Sequence, residues 1–501
     1  MMNRREFIGT SAVVAATAAL KRSTALGKNA SSAQKRPNIV LVIADQMNID
    51  AISAYRDVFK DEAYGAHHIE TPNLDWLIEN GVSFKESHST DPVCCPARAS
   101  LFTGRMSCET GVFYNNIGIA ENIPNLGQWL EQHTGYSRYY CGKWHAGGAW
   151  NCPTVDGARK IPGFETIPTD DSGVGRVLDY QVAASLEAFI RNHDSDKPYL
   201  LVGGFLNPHD CCFWNPHLGK NMVTSGTDYF ELGKKLPPLP PNQDVNNRGG
   251  IPEEQWTEMH WKNYIYDYLR QIETLDKNLG RIVSALRDRD DDTVLIFTAD
   301  HGDECGRHRR ISKWQPFQAS VMVPLIVYGP KAGIRKGVID AEHLVSGVDL
   351  FPTICDFAGI EPTELCRGES LRPILTNVPA AWRAYLYYSY QHTGRVIRSK
   401  KYKYVMKYAF SNQKSKKPGD GKADHPFIDD ITGQPAAFIP GQGDRCRREA
   451  GRTMLFDMED DDWEMNNLAG NPEFASVIAE HEAELKKWED RLEINNRFDR
   501  N

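Results

Sequence analysis

The sequence predicts an α/β fold, a large, mainly parallel sheet flanked by helices, followed by a smaller C-terminal α+β domain. Three observations predict it. Short apolar runs rich in Val, Ile, Leu and aromatic residues recur between residues 38 and 329, and helix-like stretches separate them. After about residue 375 the texture changes to short strand candidates and a charged terminal helix.

In chain order, residues 1–27 combine Arg4-Arg5, then Glu6-Phe7-Ile8, with a small, mildly apolar run too short to cross a bilayer. Ser23-Thr24-Ala25 offers a small-residue cleavage site, and the segment resembles a twin-arginine export signal. Export to the bacterial periplasm or beyond is therefore expected. A first domain over residues 28–375 carries the runs NIVLVIAD (38–45), SRYYCG (137–142), PYLLVGGF (198–205), TVLIFTAD (293–300) and VPLIVYG (323–329). Bounded by Asp, Gly or Pro, they read as strands buried on both faces. NLGQWLEQ (125–132) and the long segment 266–288 read as covering helices. A second domain over residues 376–501 contains the strand candidates AYLYYSY, RVIRS and KYKYVMKY, a polar insertion from about Ser411 to Arg452, and the helix FASVIAEHEAELKKWEDRLE.

Bulk properties narrow the function. With 41% hydrophobic and 25% charged residues over 501 positions, the chain is an ordinary globular protein with room for a large core. A net charge of −8 argues against a nucleic-acid binder, so an anionic ligand needs a local basic pocket. No segment after the signal is apolar enough to span a membrane, and no membrane insertion is expected once the signal is removed. Eleven cysteines at irregular intervals are not the disulfide framework of a small secreted domain. The adjacent pair in CCPARASLFTGR (94–105) lacks the spacer of a zinc site. A disulfide between neighbours is strained, and a thiol nucleophile needs a histidine beside it.

Ligands of open α/β sheets bind beyond the carboxyl ends of the strands. There the chain places Asp45-Gln46, Lys143-Trp144-His145, Asn207-Pro208-His209-Asp210 and Asp300-His301-Gly302-Asp303, with Lys313 ahead of the fifth run. Singly, each has an ordinary explanation as a cap, a satisfied histidine or a solvated lysine. Together they make an oxygen-rich divalent-cation site beside a basic pocket for a tetrahedral oxyanion.

CCPARASLFTGR fits the type I sulfatase signature, C-x-P-x-R closed by T-G-R, and GKWH (142–145), Pro208-His209 and TADHGD (298–303) follow in the order of that family's blocks. The resemblance to these formylglycine-dependent enzymes of the alkaline phosphatase-like superfamily spans about residues 37–375, and LFDMEDDDWEMNNLA (455–469) resembles their C-terminal domain. It implies that a maturase oxidises Cys94 to formylglycine, leaving Cys95 at the variable position. It also implies that Asp45, Gln46, Asp300 and His301, with modified Cys94, bind calcium, or alternatively magnesium or manganese. In the family's chemistry one hydroxyl of the metal-bound aldehyde hydrate attacks sulfur, and the other expels sulfate. By the same resemblance Arg98 holds the hydrate, Lys143 and Lys313 clamp sulfate, His145 is the base and His209 the acid.

Two features depart from the commonest pattern. Gln46 stands where many members carry Asp, and His301 where many carry Asn; both forms occur in phosphonate and phosphodiester hydrolases of the superfamily. Ala97 replaces the frequent Ser. The expected function is hydrolysis of a sulfated carbohydrate, with a phosphonate monoester or phosphodiester hydrolase as the alternative. A sugar-binding pseudoenzyme with unoxidised Cys94 is the reading from another class. Asp210, Trp214, Arg307, His308 and His392 are candidate substrate contacts on loops.

Overall fold

The structure, a computed structural model, describes residues 36–147, 160–169, 173–215, 220–221, 235–245, 255–391, 394–407 and 453–492. The export-signal segment, the polar insertion and His392 lie outside the described residues. Residues 36–501 form one compact unit.

Eight strands build the main sheet: β1 (Asn38–Asp45), β2 (Val82–Phe84), β3 (Ser137–Gly142), β4 (Glu165–Ile167), β5 (Tyr199–Pro208), β6 (Thr293–Ala299), β7 (Leu325–Tyr328) and β8 (Val338–Asp340). Their order across the sheet is β8-β2-β7-β6-β1-β5-β3-β4. β1 is central and parallel to both neighbours, with Ile39 opposite Leu200 on β5 and Val294 on β6. Every β1 residue after Asn38 is buried, which explains the unbroken apolar run. All five expected strands form. β2, β4 and β8 were not expected, because three residues are too few to carry a readable period.

β7 runs antiparallel to β6 and β2. Its beginning therefore lies at the edge where β1, β3, β5 and β6 end, and the loop carrying Lys313 reaches that edge from the opposite chain direction.

Alternating β1 side chains serve two cores. Val40 and Val42 pack with helices α1 (Pro72–Asn80), α4 (Gly175–Asn192) and α5 (Glu258–Arg289), while Ile39, Leu41 and Ile43 pack with α2 (Cys94–Thr103), α3 (Leu126–His133) and α6 (Leu350–Phe357). α5 starts eight residues before the expected segment, because the Thr257 side chain caps it by accepting from the His260 N–H at 3.3 Å. Among the described residues, no helix is long and apolar enough to cross a membrane.

The C-terminal sheet is antiparallel, β9 (Leu386–Tyr390), β10 (Gly394–Arg398), β11 (Tyr402–Lys407) and β12 (Thr453–Asp457). α7 (Ala475–Arg491) covers it, with Trp488 stacked on Tyr387 at 5.5 Å between ring centres. Ser389 Oγ donates to Asp91 Oδ2 at 2.9 Å and shares a 2.8 Å hydrogen bond with Ser107 Oγ, linking this sheet to the segments flanking α2.

Two glycines let β3 and β5 end in close contact. Gly142 has φ +87°, and a Cβ on Gly204 would lie 2.2 Å from the Lys143 carbonyl oxygen. Gly204→Ala is expected to destabilise the fold by about 1–3 kcal/mol through overpacking. Urea unfolding of the two proteins measures this, and equal midpoints would show that the Lys143 backbone yields freely.

Candidate functional site

Cys94 opens α2, a helix whose residues are all buried, so its side chain sits at the positive end of the helix dipole. One turn later on the same face comes Arg98, the spacing that C-x-P-x-R imposes on a helix. Asp45 extends from the end of β1, and Asp300 and His301 follow β6. The Cys94 Sγ lies 3.8 Å from Asp45 Oδ1 and 3.2 Å from His301 Nε2. One ligand atom from each of Asp45, Cys94, Asp300 and His301 falls within 4.8 Å of the others, and all four residues are buried.

This donor set fits a divalent cation. His301 Nδ1 faces the Gly302 carbonyl oxygen at 3.0 Å, so with a cation bound the ring would donate there and turn its Nε2 lone pair to the ion; burial works to lower His301, but Asp300 and Cys94 carry it above the ordinary imidazole range. Burial and the neighbouring Asp45 carboxylate push Asp300 up, against the opposing pull of His301 and Arg98. Burial works to raise Asp45 as well, but Lys143, His209, Lys313 and Arg98 hold it well below the usual carboxylate range.

Three cations surround the same point. Arg98 Nε donates to Asp300 Oδ2 at 2.7 Å and Nη1 to the Lys143 carbonyl at 2.8 Å. Its buried Nη2 makes no hydrogen bond, lying 3.5 Å from Asp45 Oδ2. Lys143 Nζ pairs with Asp45 Oδ2, and Lys313 Nζ donates to Gln46 Oε1 at 2.5 Å. Burial and the Asp45 carboxylate oppose ionisation of the Cys94 thiol, yet Lys143, Lys313 and His301 hold it well below the ordinary thiol range. An anion arriving here meets fixed positive charge away from water.

His145, buried beside Lys143, is pushed down to about 4, chiefly by burial, so its ring is neutral near pH 7 and can accept a proton. His209 follows β5, half-buried, and its charge acts on both Asp45 and Cys212. Backbone strain concentrates in these loops: Gln46 has φ +68°, His145 +46°, Ser312 +66° and Trp314 +81°. Residues held in the left-handed region cost energy that the surrounding packing must offset, and they gather at functional sites.

The structure thus brings together Asp45, Gln46, Cys94, Arg98, Lys143, His145, His209, Asp300, His301 and Lys313. Gln46 differs from a simple ligand. Its Nε2 donates to Asp303 Oδ2 at 2.6 Å while its Oε1 receives Lys313.

Four of the candidate substrate contacts have packing or hydrogen-bond partners of their own, and His392 lies outside the described residues. Asp210 is buried and caps α4, accepting from the Gly175 and Arg176 N–H groups at 3.0 and 3.3 Å. Trp214 packs against Trp256 and Tyr264, with ring centres 6.3 and 5.9 Å away. Arg307 pairs with Asp50 and lies over the Trp463 ring at 5.2 Å. His308 is buried, stacked on Phe317 at 4.0 Å.

Sequence reasoning missed the groups that support the site. Asp303 was visible in TADHGD but had no role assigned, and Tyr264, which bonds it, preceded the expected helix. Cys211 and Cys212 lie 3.3 and 3.4 Å from Gln46 Nε2.

Comparison with known proteins bears on this arrangement. The family model described as Sulfatase matches residues 37–360, and that of the N-sulphoglucosamine sulphohydrolase C-terminal region matches residues 306–424. A Delta 4,5-hexuronate-2-O-sulfatase of Bacteroides thetaiotaomicron is 26% identical, over 92% of this chain and 90% of its own. An N-acetylglucosamine-6-O-sulfatase of the same organism is 25% identical, over 88% of this chain and 84% of its own. The crystal structure of a phosphonate monoester hydrolase of Agrobacterium radiobacter superposes with a TM-score of 0.67 at 20% identity, covering 91% of this chain and 96% of that one.

The packing of His308 has a consequence for pH. Burial pushes it down to about 4 from 6.5, although its bond to the Val245 carbonyl opposes the change. Below pH 6.5 the unfolded chain takes up a proton there that the folded chain refuses. The stability from neutral His308 is therefore present above that pH and lost as pH falls toward 4, by up to about 3 kcal/mol. Buried Asp91, at about 7, and Glu304, at about 8, act in the opposite sense, so the comparison must be with the parent. His308→Gln is expected to make the decline in unfolding free energy from pH 6.5 to 4 shallower. Parallel profiles would show that His308 does not titrate in this interval.

Proposed function

The chain belongs to the sulfatase family and is a sulfuric ester hydrolase; from that premise we propose that it removes sulfate from a sulfated carbohydrate, a polysaccharide fragment, using formylglycine made from Cys94. The observation that carries the reading is the convergence of Cys94, three basic side chains and two carboxylates at one buried point. The two relatives named for sulfated-sugar positions support the substrate class.

In this reading Asp45, Asp300, His301 and modified Cys94, with Gln46 alongside, would hold calcium, or alternatively magnesium or manganese. A divalent cation held there would supply Lewis-acid charge beside the nucleophile and the sulfate. Lys143 and Lys313 grip the sulfate oxygens, and Arg98, anchored through Asp300 and the Lys143 carbonyl, offers its Nη2, 3.5 Å from Asp45, to the developing charge. His145, neutral near pH 7, accepts the proton released as sulfate is expelled. His209 protonates the departing sugar oxygen, a leaving group too basic to depart unaided. The Arg4-Arg5 signal sends the folded enzyme out of the cytoplasm, where sulfated polysaccharides are encountered, and a formylglycine-generating maturase is the partner required before export.

A second reading has its own support. Gln46 and His301 match the ligand variants of phosphonate hydrolases, and one of those enzymes shares the fold. Turnover of sulfate esters and phosphonate monoesters by one preparation separates the two. Efficient phosphonate cleavage with no sulfated oligosaccharide hydrolysed would replace the sulfatase substrate.

Mass spectrometry of the tryptic peptide Glu86 to Arg98, from cells containing a maturase, is expected to carry an aldehyde at Cys94; modification at Cys95 would overturn the assignment. His209→Ala is expected to slow hydrolysis of a sugar sulfate by roughly 100-fold or more and that of an activated aryl sulfate by less than about 10-fold. Equal losses on both would remove the acid role.

A further inference from the structure

Lys313 stands on a loop whose flanking residues Ser312 and Trp314 both have positive φ, and its ammonium is held by a single neutral oxygen, Gln46 Oε1 at 2.5 Å. That arrangement needs the Gln46 amide in one of its two orientations. Flipped, the amide would turn its NH2 toward the ammonium, donor against donor.

What prevents the flip is Asp303. Its Oδ2 accepts from Gln46 Nε2 at 2.6 Å, and the carboxylate itself is fixed on every side by donors. Tyr264 Oη donates at 3.0 and 3.2 Å, the Cys305 N–H at 2.8 Å, and the Cys211 thiol lies 3.7 Å away. The Asp303 backbone is tied as well, its N–H donating to Asn48 Oδ1 at 2.5 Å and its carbonyl accepting from Asn48 Nδ2 at 2.8 Å. Cys211 and Cys212 Sγ, 3.3 and 3.4 Å from Gln46 Nε2, are weak partners and discriminate poorly between NH2 and oxygen.

We propose that Asp303 is a positioning residue for the sulfate clamp: by fixing the Gln46 amide it aims Lys313. The inference rests on the reading of Lys313 as a sulfate ligand. It also gives Gln46 a role that an acid at this position could not fill beside Asp303, because two facing carboxylates repel, whereas an amide offers a donor to one side and an acceptor to the other.

The experiment is a set of variants of the full chain, matured in cells with a maturase and read by calorimetric binding of inorganic sulfate and by kcat and KM on a sulfate ester. Asp303→Asn, isosteric but able to present an NH2 to Gln46, is expected to weaken sulfate binding about 10-fold and to lower kcat/KM by roughly 10- to 100-fold. In Lys313→Met, adding Asp303→Asn is expected to cost much less than it does in the parent, since the clamp is already gone and only the place of Gln46 beside the cation is left to lose. The exchange Gln46→Glu with Asp303→Asn swaps donor and acceptor at unchanged total charge. It is expected to recover most of the sulfate affinity.

A merely structural Asp303 would instead give losses that add in the double variant, follow melting temperature and are not recovered by the exchange; that result overturns the proposal. Should Asp303→Asn fail to fold, Tyr264→Phe reads the same chain more gently, with an expected loss of about 3-fold in sulfate affinity, and no loss there overturns it. The two levels of inference fail separately. A parent protein that binds sulfate but hydrolyses no sulfate ester sinks the function and leaves Asp303 its role. Asp303→Asn that binds sulfate as tightly as the parent does the reverse.

Discussion

Asp45 is a carboxylate without access to water, and the site is arranged around its charge. Lys143 pairs with it, Arg98 approaches to 3.5 Å, and Cys94 and His301 close the opposite side. Removing a buried charge from solvent is costly unless it is matched, so each neighbour is held where Asp45 requires it. Arg98 in turn fixes Asp300, and Asp300 Oδ1 accepts from the N–H groups of Gln46 and His301 at 3.1 and 2.9 Å. One unsolvated charge thus binds the ends of β1, β3 and β6 to the first turn of α2.

The fold beneath is what makes that matching affordable. Parallel strands end together, and their last residues project beyond the sheet with little freedom to turn away. Gly142 and Gly204 bring β3 and β5 close enough for the Lys143 carbonyl to serve Arg98. Behind the strand ends, α5 presents Tyr264 and Tyr268 one turn apart; the first reaches Asp303, and the second donates to the Gln46 carbonyl at 2.8 Å. The strained backbone at Gln46 is therefore held from both sides.

Most of the groups that meet at the candidate site were legible because they sit where a simple rule looks, immediately after apolar runs that can only be buried strands. Asp45, Lys143, His209 and Asp300 all belong to this class. The antiparallel direction of β7 was not legible, yet it is the reason Lys313 joins them. Asp210 illustrates the rule's limit: an Asp after a strand reads identically whether it meets a ligand or caps a helix, and only the arrival of α4 distinguishes them. His308 and Arg307 read as loop residues able to meet substrate, whereas His308 stacks on Phe317 and Arg307 is enclosed by Asp50, Tyr64 and Trp463, which come from distant segments. Asp303 was overlooked for a related reason. Its partner Tyr264 lies 39 residues away, on the far side of a strand.

β11 and β12 are register neighbours, Met406 opposite Thr453, although a long segment separates them in the chain. The chain leaves the sheet and re-enters it one strand spacing away, so the pairing imposes no particular length on what lies between. The entropy of closing such an excursion grows only with the logarithm of its length. The pairing of Met406 with Thr453 thus fixes where the two strands meet without fixing how many residues the chain spends between them.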